Sequence, residues 1–171
     1  MEGSLFYPPS SIFHFLSSGV NWIITMPNVL FLCTGNYYRS RFAEELFNAR
    51  AAKMGLDWQA SSRGLATEFG AGNIGPISAL AVNRLIKLGV DPGDNLRFPL
   101  PLRESELAEA DLIIALYEAE HRPYLKQRFP DWPDNVEYWH IPDLGEMPAD
   151  KALAKIEREI EALINRLNNS L

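Results

Sequence analysis

The feature that most constrains this chain is a short, almost unbroken apolar run, Asn28–Cys33 (NVLFLC), followed at once by a loop and then by apolar residues at helical spacing. A run this short cannot cross a membrane, which takes ~20 apolar residues, and its lack of polar alternation means that both of its faces are covered. Residues 111–116 (DLIIAL) repeat the pattern. Strands buried on both faces need helices on both sides, which is the arrangement of an α/β domain built on a parallel sheet.

The rest of the chain fills in that scheme. Residues 40–54 carry Phe42, Leu46, Phe47 and Met54 near helical spacing, with Gly55 where a helix stops. A second strand is expected over 58–62, then a glycine-rich loop over 63–76 and a helix over 77–88 that ends at Gly89. A proline-containing loop over 91–101 and a short polar helix over 103–110 lead into the buried run 111–116. A helix over 118–129, a last strand over 136–140 and a final helix follow; the final helix shows Leu153, Ile156, Ile160, Leu163, Ile164 and Leu167 on one face. Four strands separated by helices imply a single domain with a four-stranded parallel sheet, right-handed crossovers and a Rossmann-like layout. Ligands bind such sheets beyond the carboxyl ends of the strands.

Charge and cysteine content narrow the function. Sixteen Lys and Arg against 22 Asp and Glu leave a net charge of -6 with no basic cluster, which argues against a nucleic acid partner. One cysteine, Cys33, allows no intramolecular disulfide and no multi-cysteine zinc site, and it suits a reducing, cytoplasmic setting. Residues 1–25 are apolar and aromatic in places, hold Pro8, Pro9 and Gly19, and contain no Lys or Arg, unlike a secretory or transit segment. They are expected to be an extension to a domain spanning 26–171, with translation beginning at Met26. No feature speaks to the oligomeric state.

Cys33 lies at the carboxyl end of the first buried strand and opens Cys33-Thr34-Gly35-Asn36-Tyr37-Tyr38-Arg39-Ser40. A loop closing onto a helix N-terminus turns backbone N–H groups inward, and these with the helix dipole favour a phosphate. The same field favours a thiolate, the nucleophilic form of cysteine. Arg39 can offer two parallel N–H bonds to phosphate oxygens, which a lysine cannot. Ser40 is placed to hydrogen-bond Cys33 or to cap the helix, Asn36 to brace the loop, and Gly35 to permit a backbone path that a side chain would obstruct. A Walker-type nucleotide loop does not fit, because no second Gly is followed by Lys and Ser or Thr.

The run VLFLCTGNYYRS between a buried strand and an amphipathic helix resembles the signature of the low-molecular-weight protein tyrosine phosphatase family, and the order of elements from Met26 onward is similar too. The resemblance implies hydrolysis of a phosphorylated protein or small phosphomonoester through a phosphocysteine intermediate, without metal or cofactor. It makes Cys33 the nucleophile and Arg39 the phosphate clamp, with Thr34, Gly35, Asn36, Tyr37, Tyr38 and Ser40 around the substrate. The chain departs from the pattern at Tyr38, where the family usually has a second cysteine, so the protective loop disulfide cannot form. Tyr37 stands where the family shapes its pocket.

Such a mechanism needs a carboxylic acid to protonate the leaving atom, and the family keeps an aspartate for this late in the chain. Asp131 and Asp134 precede the last strand, whereas Asp143 follows it, at the end where Cys33 sits. A five-residue strand spans ~17 Å, so Asp143 is the expected acid. The family pattern of Asp-Pro and an aromatic reads Pro142-Asp143-Leu144 here, which removes an aromatic ring from the pocket. Tyr117, Glu118, Arg63, Asn73 and His140 are candidates for the rim, and His121 is expected to be solvated. Three other readings remain open: a phosphoarginine phosphatase, an arsenate reductase served by an external thiol, and a non-catalytic phosphate sensor.

Overall fold

The computed structural model describes residues 25–94 and 96–170. All of the N-terminal segment except Thr25 therefore lies outside the described residues. The domain is an α/β layer structure with four parallel strands in the order β2-β1-β3-β4. β1 (Asn28–Cys33) sits in the middle, beside β2 (Gln59–Gly64) on one side and β3 (Leu112–Ala115) on the other, and β4 (Glu137–Tyr138) forms the far edge.

The apolar run of β1 is continuous because each face meets its own helical layer. Val29 and Phe31 pack with α1 (Arg39–Met54), α2 (Ala79–Lys87) and α5 (Ala149–Asn168), while Leu30 and Leu32 pack with α3 (Glu104–Glu109) and α4 (Glu118–Arg128). The α5 stripe expected from the sequence is buried along its length, from Leu153 to Leu167. Gly55 stops α1 in a left-handed conformation at φ 66°, with its N–H on the Ala51 and Ala52 carbonyls.

Two strands differ from expectation. β2 runs to Gly64 rather than Ser62, because the polar residues of that stretch find partners: Ser62 is buried against Glu44, and Arg63 donates to Glu106 at 2.6 Å. Gly64 ends the strand under the loop, where a Cβ would come within 2.5 Å of Thr67 Cγ2 and 3.0 Å of the Thr34 carbonyl. β4 has two residues instead of five, although the chain keeps pairing beyond it as Trp139 and Ile141 donate to the Ala115 and Leu116 carbonyls. The chain leaves β1 for β2 in one direction and then returns to β3 on the other side. That reversal opens a crevice beyond the carboxyl ends of β1 and β3.

Candidate active site

In that crevice β1 ends, the chain turns through 34–38, and α1 begins. The turn depends on Asn36, the one non-glycine residue among those described with a positive φ (50°), and asparagine tolerates that region better than most. Its fully buried amide is saturated. Nδ2 donates to Ser40 Oγ (3.0 Å) and Ser62 Oγ (2.8 Å), while Oδ1 accepts from Arg97 Nη1 (2.9 Å) and the Leu100 N–H (3.0 Å). Gly35 does not do what its sequence position suggested, since its φ is not positive and a Cβ there would meet no atom within 4 Å. The special backbone falls on Asn36 instead.

Cys33 is buried but reaches the floor of a cleft of about 240 Å³. Its Sγ lies 2.9 Å from Ser40 Oγ, so Ser40 serves the thiol and is not the N-cap; α1 has no side-chain cap at all. The uncapped first turn leaves backbone N–H groups free for an anion. Thr34, Gly35, Tyr37 and Tyr38 line the cleft, whereas Asn36 and Ser40 lie beneath its wall, braced in the network that shapes it. The Tyr38 phenol is held protonated, its pKa raised to about 12 by burial and then by the nearby Asp143.

Arg39 starts α1 and is 2% exposed. Nη1 donates to Glu120 Oε2 (2.9 Å) and to the Ile141 carbonyl (3.1 Å), and Nη2 donates to Glu120 Oε1 (2.9 Å). Three of five N–H groups are thereby used. Nε–H and the second Nη2–H, which point the same way, have no hydrogen-bond acceptor among the described residues, and Arg39 lines the cleft. Burial opposes the charge on Arg39, yet Glu120 and Cys33 together raise its pKa above the ordinary value. Burial likewise acts to protonate Glu120, and His121, Arg39 and the Thr34 hydroxyl overcome it, holding the carboxyl well below the usual range.

Asp143 stands at the cleft mouth, about half exposed, with Oδ2 3.4 Å from Arg39 Nη2. Leu144 follows it, and an aromatic ring reaches the cleft from Phe69 instead, in the short 3-10 turn Thr67–Gly70. Asn73 also lines the cleft, and Tyr37 Oη donates to the Ile74 carbonyl at 2.7 Å, tying that loop over the site. The other rim candidates are engaged elsewhere: Arg63 with Glu106, Glu118 with Arg122, Tyr117 with Glu146, and the exposed His140 edge-on to the Tyr117 ring. His121 is fully buried, not solvated. It shares the buried face of α4 with Leu125, and its Nδ1 accepts the Tyr117 N–H (3.0 Å) while Nε2, 3.6 Å from Glu120, has no hydrogen-bond partner among the described residues.

Sequence reasoning missed Glu120 and Arg97. Glu120 had one usable signal, its place on the first turn of a helix that follows a buried strand, at the carboxyl edge of the sheet. Arg97, in a loop between prolines, had none.

A parallel sheet that ends in a thiol, a guanidinium edge with two N–H groups outside any hydrogen bond and a half-exposed carboxylate, all on one cleft, defines a cysteine-dependent, phosphatase-like hydrolase. The chain belongs to the low-molecular-weight phosphotyrosine protein phosphatase family, which it matches over residues 28–171. It is 30% identical over 109 residues to a protein-arginine-phosphatase of Bacillus subtilis (strain 168), covering 64% of this chain and 67% of that one. The crystal structure of a low-molecular-weight protein tyrosine phosphatase from T. tengcongensis is 32% identical, covers 85% of this chain and 99% of its own, and superposes with a TM-score of 0.65. An arginine phosphatase from Geobacillus stearothermophilus, 21% identical and covering 84% and 94%, shares the fold with a TM-score of 0.66.

Proposed function

We propose that this chain dephosphorylates protein side chains through a phosphocysteine intermediate, with phosphoarginine as the substrate. The observation that carries the reading is the Nε–Nη2 edge of Arg39, free of hydrogen bonds, on the same cleft as Cys33 and Asp143. Phosphate oxygens dock on that edge and on the first-turn amides of α1. The Cys33 thiolate attacks phosphorus, an S–P bond forms as the bond to the leaving atom breaks, and Asp143 gives that atom its proton. Water then attacks phosphorus, Asp143 takes its proton, and the S–P bond breaks to return the thiolate and inorganic phosphate.

A leaving guanidine becomes a planar cation, and a carboxylate at the mouth of the cleft can accept two of its N–H bonds. The Bacillus subtilis relative supports the same choice. Phosphotyrosine is the second reading, favoured by the ring of Phe69 beside Leu144 and by the T. tengcongensis relative. Peptides carrying phosphoarginine or phosphotyrosine, assayed with a chelator present, decide between them. The expected kcat/KM ratio favours phosphoarginine by at least tenfold, on the order of 1.4 kcal/mol. Cys33→Ser is expected to abolish turnover and Asp143→Asn to slow it roughly 10²- to 10⁴-fold. Turnover that survives Cys33→Ser overturns the mechanism, and a preference for phosphotyrosine overturns the substrate.

A further inference from the structure

Arg39 can present a guanidinium edge to phosphate only if something else fixes its plane, and helix position alone does not do so. A long side chain at the start of a helix has several rotamers, and ordering it carries an entropy cost that neighbouring contacts must offset. Two of the three hydrogen bonds that hold Arg39 come from one residue. Glu120 takes the Nη1–Nη2 end of the guanidinium with both carboxylate oxygens, at 2.9 Å each, and its Oε1 also accepts the Thr34 hydroxyl, next to Cys33. The Ile141 carbonyl takes the outer Nη1 hydrogen, which leaves the Nε–Nη2 edge facing the cleft without a hydrogen bond, its nearest charge the Asp143 Oδ2 at 3.4 Å from Nη2.

We infer that Glu120 is the positioning residue of this site: it fixes the plane of Arg39 and the side chain of Thr34, and so selects the edge that phosphate meets. The inference rests on the proposed phosphate-binding role of the cleft. Glu120 does not itself face the reacting atoms, as it is absent from the cleft lining, so its influence passes through Arg39 and Thr34. A like-charged carboxylate beside an anion site is tolerable only because Arg39 spends one edge on it and keeps the other for the anion. Glutamine cannot replace it, because its amide N–H₂ would meet an Arg39 N–H donor where a carboxylate oxygen now accepts.

The experiment measures inorganic phosphate binding through the protection it gives Cys33 against iodoacetate, in the wild type, Glu120→Gln, Glu120→Asp, Arg39→Ala and the double variant Glu120→Gln/Arg39→Ala. Glu120→Gln is expected to weaken phosphate binding at least tenfold. Glu120→Asp keeps the charge but shortens the reach, and is expected to weaken binding at least threefold, so it carries the test if the Gln variant fails to fold. In the Arg39→Ala background the further substitution of Glu120 is expected to change affinity less than twofold, because the main residue through which it acts is gone and only its contact to Thr34 remains. Wild-type phosphate affinity in either single Glu120 variant overturns the inference, as does a loss that persists in full without Arg39. Because the readout is phosphate binding, it stands apart from the catalytic reading, which fails on turnover surviving Cys33→Ser.

Discussion

Two arginines on the first turn of α1, Arg39 and Arg41, are equally buried at 2% and 1% exposure, yet they do opposite things with their donors. Arg39 gives three N–H groups to Glu120 and Ile141 and keeps one edge open to a cleft. Arg41 turns away from the cleft into the protein. It donates to the Arg97 carbonyl at 2.7 Å and, at 3.4 Å, to the Pro76 carbonyl and Glu45, and its Nε lies 3.5 Å from Glu44 without a hydrogen bond. Glu44 in turn binds Arg97, which holds Asn36 and hence the turn around Cys33. Burial of an arginine therefore does not mark a site. What marks it is a set of donors left over on the side where a cavity opens, with the remaining donors already satisfied.

The two arginines separate first on activity. Arg39→Lys keeps a positive charge for Glu120 but loses the two-pronged edge, and kcat/KM is expected to fall roughly 10²- to 10³-fold while the fold persists. Arg41→Met removes the support cation, leaves Glu45 unpaired and frees two carbonyls. Stability is expected to fall by about 3 kcal/mol, a drop in thermal midpoint of roughly 6 to 12 °C, whereas kcat per folded molecule falls less than tenfold. Thermal melts and steady-state kinetics on the two variants check both statements. A larger loss of activity per folded molecule from Arg41→Met than from Arg39→Lys would show that the two roles are not separate.

The distinction between the two arginines was only half legible in the sequence. Arg39 was readable because its spacing from Cys33 is local, and so are the apolar run of β1 and the helical period of α1. Its partner Glu120 lies 81 residues away, and Arg97 lies 61 residues from Asn36, so no local pattern links them. The same reason explains β2, whose polar residues are stabilised by Glu44 and Glu106 from other elements. His121 misled because Glu120 and Arg122 flank it. On the helix, though, it shares a buried face with Leu125, one turn on.

His121 has a weaker influence, read through pH, because it adjoins Glu120 on the Arg39 side and has no counterpart in the Arg41 network. Burial, the largest influence, keeps its folded pKa below the ordinary 6.5, against the pull of Glu120. Above pH 6.5 the imidazole is neutral in both folded and unfolded chains and contributes no pH dependence. Below 6.5 the unfolded chain takes up a proton that the folded chain resists, so stability falls as pH drops, by up to about 1.4 kcal/mol per pH unit until the folded pKa is reached. Glu120, whose folded pKa is depressed from 4.5, adds a second loss, present only as pH falls below that value. Thermal midpoints measured from pH 7.5 down to 5.5 isolate the histidine. The wild type is expected to lose stability across this range, and Asn in place of His121 to flatten most of the slope, while midpoints taken below pH 4.5 still fall as before. An unchanged slope in His121→Asn would mean that the buried imidazole titrates as freely as an exposed one, and that the Glu120 side of α1 is no more sensitive to protons than the Arg41 side.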